Sequence, residues 1–193
     1  SENRIHLAQD RNFFYCPKPF LRINRENIRL SLAFQREVMN CIIPSVRPDL
    51  IHCYDWMTGL VPAMARLNDI PCIFTLYRPD SPRLLLATIE ERGIDAALFW
   101  QNCYYARMPV NYEETRNTNP VDLLTSGVFA AHTVIVSNET FVKTLRANGG
   151  HYAPAGLSSE LHRKFKAGRL LNAMPLLDPS FNPNRDRYLM RSY

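Results

Sequence analysis

The chain has 193 residues, 46% hydrophobic and 21% charged, with a formal net charge of +5. That length can bury a full core as one domain, and the composition is ordinary for a globular protein. The mild basicity suits anionic ligands without implying nucleic acid, and no apolar stretch reaches the ~20 residues needed to span a bilayer, so no membrane partner is expected. Five cysteines (Cys16, Cys41, Cys53, Cys72, Cys103) show no CxxC pair, which argues against a disulfide framework or a zinc site. Cys53 and Cys72 lie inside apolar runs and read as small buried hydrophobes. The compartment is read as reducing and cytoplasmic. No signal peptide is expected, because Ser1-Glu2-Asn3-Arg4 leads straight into a strand-like run.

In chain order, Ile5-His6-Leu7-Ala8 is the first β-like run. Asn24 can cap a helix with the stripe Leu30, Ala33, Phe34, Val38 and Cys41, and Pro44 and Pro48 bracket its exit. Asp49 to Asp55 reads as the second strand. It hands over through Thr58-Gly59 to a helix whose core face is Leu60, Ala63, Met64 and Leu67, at i, i+3, i+4 and i+7. Pro71 to Leu76 is the third strand. Arg78 to Thr118, with Pro79, Pro82 and Pro109 and the aromatic cluster Phe99-Trp100-Tyr104-Tyr105, is too long for a plain loop. It reads as an insertion with a helix of its own around Leu84 to Arg92. Asn119-Pro120 reads as an N-cap with proline at the first helical position, leading into Leu124, Val128 and Ala131. Thr133 to Ser137 is the fourth strand. Asn138 can cap a helix containing Phe141, Val142 and Leu145 that Gly149-Gly150 stops. A last helix spans about Ser159 to Ala167 with Gly168 as its stop, and its run His162 to Lys166 reads as a solvated face.

The second to fourth strands are near-continuous apolar runs, as in strands covered on both faces. Strand–helix alternation implies right-handed crossovers and a parallel sheet. The expected organisation is one lobe over 1–174, with the insertion at 78–118, and an irregular tail or linker at 175–193. In such a sheet, ligands bind outside the carboxyl ends of the strands, so Asp55, Tyr77 and Ser137 should share one edge. There Asp55 could hold a sugar by hydrogen bonds and Trp56 by stacking. Equally, Asp55 could cap the following helix and Trp56 could pack between strand and helix. His52 reads as a satisfied core histidine, since no metal-ligand spacing accompanies it. Ser137 lacks a GxSxG elbow, and Thr58-Gly59 lacks a glycine-rich phosphate fingerprint. Asn172 reads either as a site residue or as a plain turn residue.

Five stretches in collinear order carry a resemblance to a known family. His52-Cys53-Tyr54-Asp55-Trp56-Met57-Thr58-Gly59-Leu60 resembles the HAHDWHTGL turn of bacterial glycogen synthases and plant starch synthases. Leu7 to Tyr15 with Asn27 and Arg29 is similar to the segment around that family's DNxxRF element. Ile70 to Leu76 resembles its IPVVFTIHN strand, and Asp122 to Val134 its NLLKGGIxxAD segment. Gly156-Leu157 through Asn172 resembles its GL…GRLxGxLNG stretch.

The resemblance implies a Rossmann-like open parallel α/β sheet with helices on both faces, the incomplete amino-terminal lobe of a GT-B type glycosyltransferase. It implies transfer of glucose from ADP-glucose or UDP-glucose to an α-1,4-glucan. The sugar nucleotide is then a substrate, and neither cofactor nor metal is expected. Asp55, Trp56, Thr58, Tyr77 and Asn172 would be the substrate-binding residues, with no catalytic residue assigned. The implied partners are the glucan, the sugar nucleotide and a second Rossmann lobe, with a homodimer through an exposed sheet edge as a further expectation.

Departures accompany the likeness. The family's Lys-x-Gly-Gly donor loop and second lobe are not in this sequence. Tyr77-Arg78 stands for His-Asn, Tyr54 and Met57 for two histidines, Thr125 for a lysine and Asp122 for an asparagine. The 193 residues alone are therefore expected to be inactive. A non-catalytic carbohydrate-binding or regulatory module derived from the same lobe is the alternative. A sucrose or trehalose-phosphate synthase type fits less well, because of the GRL…LN stretch near Asn172.

Overall fold

A computed structural model describes residues 4–8, 10–14, 22–137, 143 and 154–173. The expected helix after Asn138 and the tail from residue 175 lie outside the described residues.

The chain opens with a short helix α1 (Arg11–Phe14), then α2 (Arg25–Glu37), a π turn (Val38–Ile42) and α3 (Ile43–Val46). Asn24 caps α2 as its position predicts, its side chain accepting from the Asn27 amide at 2.8 Å. Pro44 sits inside α3 rather than at a helix exit. It has no N–H to give Asn40, and the π turn ahead of it, closed by Ile43 N–H on the Val38 carbonyl, widens the helix enough to continue. Leu30 and Ala33 are buried, but Phe34 and Cys41 are exposed; the covered face is Leu30, Ser31, Leu32, Ala33 and Gln35.

Next come β1 (Ile51–Tyr54), a 3-10 turn (Trp56–Thr58), α4 (Val61–Leu67) and β2 (Cys72–Leu76). Leu60, Ala63 and Met64 are core, whereas Leu67 is 45% exposed at the end of α4. The insertion holds β3 (Arg83–Leu84), α5 (Leu86–Glu90), two 3-10 turns and α6 (Tyr112–Thr118). It is not a separate layer: Leu86, Ile89, Ile94 and Phe99 belong to the same buried cluster as Phe74 and Leu124. Asn119 ends α6 rather than starting a helix. Pro120 leads into β4 (Val121–Asp122), which pairs antiparallel with β3. The helix after it, α7 (Leu123–Ala130), is capped by Asp122, whose carboxylate accepts from the Thr125 amide at 2.9 Å. Then follow β5 (Thr133–Val136), α8 (Ala155–Lys166) and β6 (Leu170–Asn172).

The main sheet runs β1-β2-β5-β6 with every pairing parallel. This is the α/β, Rossmann-like arrangement that the alternation implies. Ile5–Ala8 forms no strand, and Ile5 and Leu7 are over four-fifths exposed. The fourth sheet strand is β6, which the periodicity did not reveal. One sheet face carries Cys53, Phe74 and Val134, all buried. The opposite face carries Ile73, Thr133 and Ile135, half-buried, with Tyr54 and Leu171 exposed, so β1 alternates instead of being covered throughout.

The basic run at 162–166 is not wholly solvated. Lys164 is 7% exposed and donates to the carbonyls of Phe129 and Ala131 at the end of α7, where helix carbonyls favour a cation. Burial pulls its ammonium down to about 8. Cys53 and Cys72 are buried free thiols, Cys72 donating to Cys53 Sγ at 4.0 Å across β1 and β2. Among the described residues no helix is long and apolar enough to cross a membrane.

Asp122 supports three partners at once. Besides the Thr125 amide, it accepts from Ser81 Oγ at 2.6 Å and from Arg83 Nε at 3.3 Å. Replacing Asp122 by Ala should cost about 2–3 kcal/mol, more than an isolated cap, because its partners are left half-satisfied around a buried site. Urea denaturation of the variant against wild type measures this.

Candidate functional site

The carboxyl ends of β1, β2 and β5 lie on one edge of the sheet, and Asp55, Tyr77 and Ser137 follow directly after them. Asp55 turns the chain there with φ 52° and ψ −175°, a conformation an L side chain rarely adopts. It does not cap the turn that follows it. Its carboxylate instead reaches the next strand and accepts the Tyr77 amide at 2.9 Å, and the Arg78 amide adds to that hold. Burial pushes the Asp55 carboxyl above the usual carboxylate range, against these amides and the Arg78 charge, which draw it down. So Asp55 joins the ends of β1 and β2 and fixes the entry to the segment after β2.

Trp56 is 6% exposed and belongs to the core, as the packing alternative held. It also forms a wall of a cavity of about 280 Å³, with Arg22, Ile23, Asp55, Arg78 and Asp80. Trp56 thus packs in the core and borders the cavity as well. Thr58 is engaged internally. Its hydroxyl donates to the Tyr54 carbonyl at 2.8 Å and accepts the Tyr54 amide at 2.9 Å, which closes the outer edge of β1 at its upper end. Tyr77 is half exposed and lies beside the cavity, not in its wall. Asn172 ends β6, three strand spacings from β1 or roughly 14 Å away, and does not line the cavity. His52 is satisfied by Thr75, Nε2 to Oγ1 at 2.8 Å, but it is exposed rather than core, because it lies on the face of β1 opposite Cys53.

Three wall residues, Arg22, Ile23 and Asp80, carry no sequence signal of a site. The first two are the last residues before the α2 cap, and Asp80 stands between prolines. Sequence reading also missed what holds the turn in place. Gln35, fully buried, accepts the Leu60 amide at 2.8 Å and donates to Ser31 Oγ, which donates to the Met57 carbonyl. Two polar side chains of α2 thus hold the turn that carries Trp56, one at Met57 within it and one at Leu60 just after it.

Chemically, the cavity is lined by two carboxylate residues, two arginines and an indole. Those are groups that hold hydroxyl-rich ligands by paired hydrogen bonds and apolar contact. The cations and carboxylates are equal in number, so the wall supplies no surplus positive charge.

Residues 2–155 match the family described as "Starch synthase catalytic domain". Glycogen synthase 2 of Geobacter sulfurreducens is 26% identical over 98% of this chain and 39% of its own length. Glycogen synthase 2 of Geobacter metallireducens is 24% identical over 76% of this chain and 29% of its own length. A shorter stretch, 25% of the chain, is 39% identical to glycogen synthase 1 of Rhizobium meliloti and covers 11% of that protein. The chain spans well under half the length of these curated relatives.

Proposed function

This chain belongs to the starch synthase catalytic domain family, and on that premise we propose that it is the acceptor-holding lobe of a glucosyltransferase of the glycogen synthase type. The reaction moves glucose from ADP-glucose or UDP-glucose to an α-1,4-glucan. The observation that carries this reading is the cavity at the carboxyl edge of the sheet, walled by Asp55 and Trp56 of the family-like turn. Open parallel sheets bind ligands at that edge.

In this reading the roles divide by charge. A nucleotide diphosphate must be met by cations or backbone N–H groups in a closed site. The cavity's Arg22 and Arg78 are offset by Asp55 and Asp80, so its wall suits a neutral sugar better than a diphosphate. The diphosphate contacts are assigned to a second Rossmann lobe facing this edge. Asp55 acts as a positioning residue through the Tyr77 and Arg78 amides, and Arg78, Asp80 and Trp56 meet the sugar. Thr58 and Asn172 are left outside the sugar contacts. The lobe is taken as 1–174 with the insertion at 78–118 packed into its core.

The chain alone should bind maltoheptaose no tighter than about millimolar, roughly 4 kcal/mol, because an open site exchanges bonds to water for bonds to sugar. Following the backbone amides of Trp56 to Gly59 by NMR during a maltoheptaose titration tests this. Amides that stay still at tens of millimolar sugar would sink the reading. The chain alone should also leave glycogen unlabelled with either donor. Turnover at the ~1 s⁻¹ or more typical of enzymes would overturn the division of roles.

A further inference from the structure

Two of the residues that line the cavity, Arg78 and Asp80, stand on a short strap, Arg78-Pro79-Asp80, that leads from the end of β2 toward α7. Both ends of the strap are fastened. At the near end the Asp55 carboxylate accepts the Tyr77 amide at 2.9 Å, and the Arg78 amide adds to that hold. At the far end Ser81 Oγ donates to the Asp122 carboxylate at 2.6 Å and accepts the Leu124 amide at 2.9 Å. The carbonyl of the next residue, Pro82, accepts the Leu123 amide at 3.1 Å. One hydroxyl thus fastens the strap both to the cap of α7 and to an amide of its first turn. Little slack is left between the two ends. Pro79 has a fixed φ, and Arg78 and Ser81 each precede a proline, which holds them away from the helical region.

The fastenings close a circuit. The Leu123 carbonyl at the start of α7 packs against Gly59 and leaves no room there for a side chain. Gly59 closes the Trp56–Thr58 turn, and that turn starts from Asp55. The path therefore runs from Asp55 through Tyr77 and the strap to Ser81, across the start of α7 to Gly59, and back to Asp55. Asp55, Trp56, Arg78 and Asp80 all ride on it, and all four line the cavity. Ser81 is not in the cavity wall, yet its side chain joins the half of the circuit that carries Arg78 and Asp80 to the half that carries Trp56. Wall groups held in place before a ligand arrives lose little freedom when it binds.

We propose that Ser81 is a positioning residue of the cavity: by locking the strap to the start of α7, its hydroxyl sets where Arg78 and Asp80 stand relative to Trp56. That this placement serves a sugar rests on the reading of the cavity given above.

Ser81→Ala removes the lock and leaves the Asp122 cap on Thr125 intact; Ser81→Thr keeps the hydroxyl. Hydrogen exchange reads the geometry with no ligand present. In the alanine variant, protection of the Tyr77 amide should fall roughly tenfold beyond any loss at Phe74 inside β2, because the strap loosens while the sheet holds. The Trp56 indole N–H signal should shift as well, although position 81 lies outside its turn. A maltoheptaose titration followed at the Asp80 amide should show binding roughly tenfold weaker in the alanine variant, since the wall must then be ordered on binding. The threonine variant should match wild type in all three measurements. Protection at Tyr77 that falls no further than at Phe74 would make Ser81 a stabilising contact only and overturn the proposal. Unchanged maltoheptaose affinity in the alanine variant, with wild type binding, would overturn it too. If Tyr77 loosens as expected but wild type binds no maltoheptaose, the positioning role stands and the sugar reading falls.

Discussion

Replacing Gly59 by Ala should destabilise the chain by about 3 kcal/mol or more, although propensity alone points the other way. Gly59 has φ −64° and ψ −20°, which any residue adopts, and it leads into α4. In that backbone, alanine lowers the entropy of the unfolded chain and favours helix by up to ~1 kcal/mol. Space decides against it. A Cβ at this position would lie 2.0 Å from the Leu123 carbonyl oxygen and 2.6 Å from the carbonyl carbon. Those are backbone atoms at the first residue of α7, with no flexible side chain to swing aside. Either the Trp56–Thr58 turn or the start of α7 must move, and overpacking of this kind costs ~1–3 kcal/mol, more where backbone is involved.

The loss would lower the melting temperature by roughly 6–12 °C for a chain of this size. Differential scanning calorimetry measures it. An unchanged or raised transition would mean that the turn and α7 are not in contact as described. Since Trp56 and Asp55 ride on the same turn, maltoheptaose binding should weaken in the variant even below its transition.

The same glycine shows where sequence reading stops. Its place in a strand-to-helix turn was legible, because the apolar run Leu50-Ile51 and the stripe Leu60, Ala63, Met64 bracket it. That it must be glycine was not, because the atom it avoids is 64 residues further on. The three central strands were legible for the same local reason, and with them the shared edge of Asp55, Tyr77 and Ser137. β6 was not, since three residues after a glycine leave no period to read. The run Ile5–Ala8 has the apolarity of a strand, but a strand exists only with a partner, and among the described residues it has none. Asn119-Pro120 has good cap chemistry, yet Asp122 won the cap because β4 pairs with β3 ahead of the helix. The cavity wall was half legible: Asp55 and Trp56 sit in the motif, while Arg22, Ile23 and Asp80 come from loops brought in by tertiary packing. Thr58 and Asn172 lie in the motifs but outside that wall.

Ser31 and Gln35 were hidden by the rule that polar residues point outward from an amphipathic helix. Both are buried, at 2% and 0% exposure, and together they tie α2 to the turn. Gln35→Leu keeps similar bulk but leaves the Leu60 amide, bonded at 2.8 Å in the wild type, without an acceptor. A buried N–H left unpaired costs ~1–3 kcal/mol, and Ser31 loses a donor as well, so the expected loss is about 2–3 kcal/mol. Leucine's greater hydrophobicity offsets little of this, because the glutamine stem is already buried. Ser31→Ala removes the bond to the Met57 carbonyl and the partner of Gln35 Nε2, and should cost about 1–2 kcal/mol. If the two act as one clamp, the double variant loses less than the sum of the singles, with a coupling of about 0.5 kcal/mol or more. Guanidinium unfolding of all four proteins closes that cycle. Additive losses would make Ser31 and Gln35 two independent contacts. Coupled losses, with faster hydrogen exchange at Thr58 to Leu60, would establish that α2 sets the geometry of the turn on which Trp56 meets the cavity.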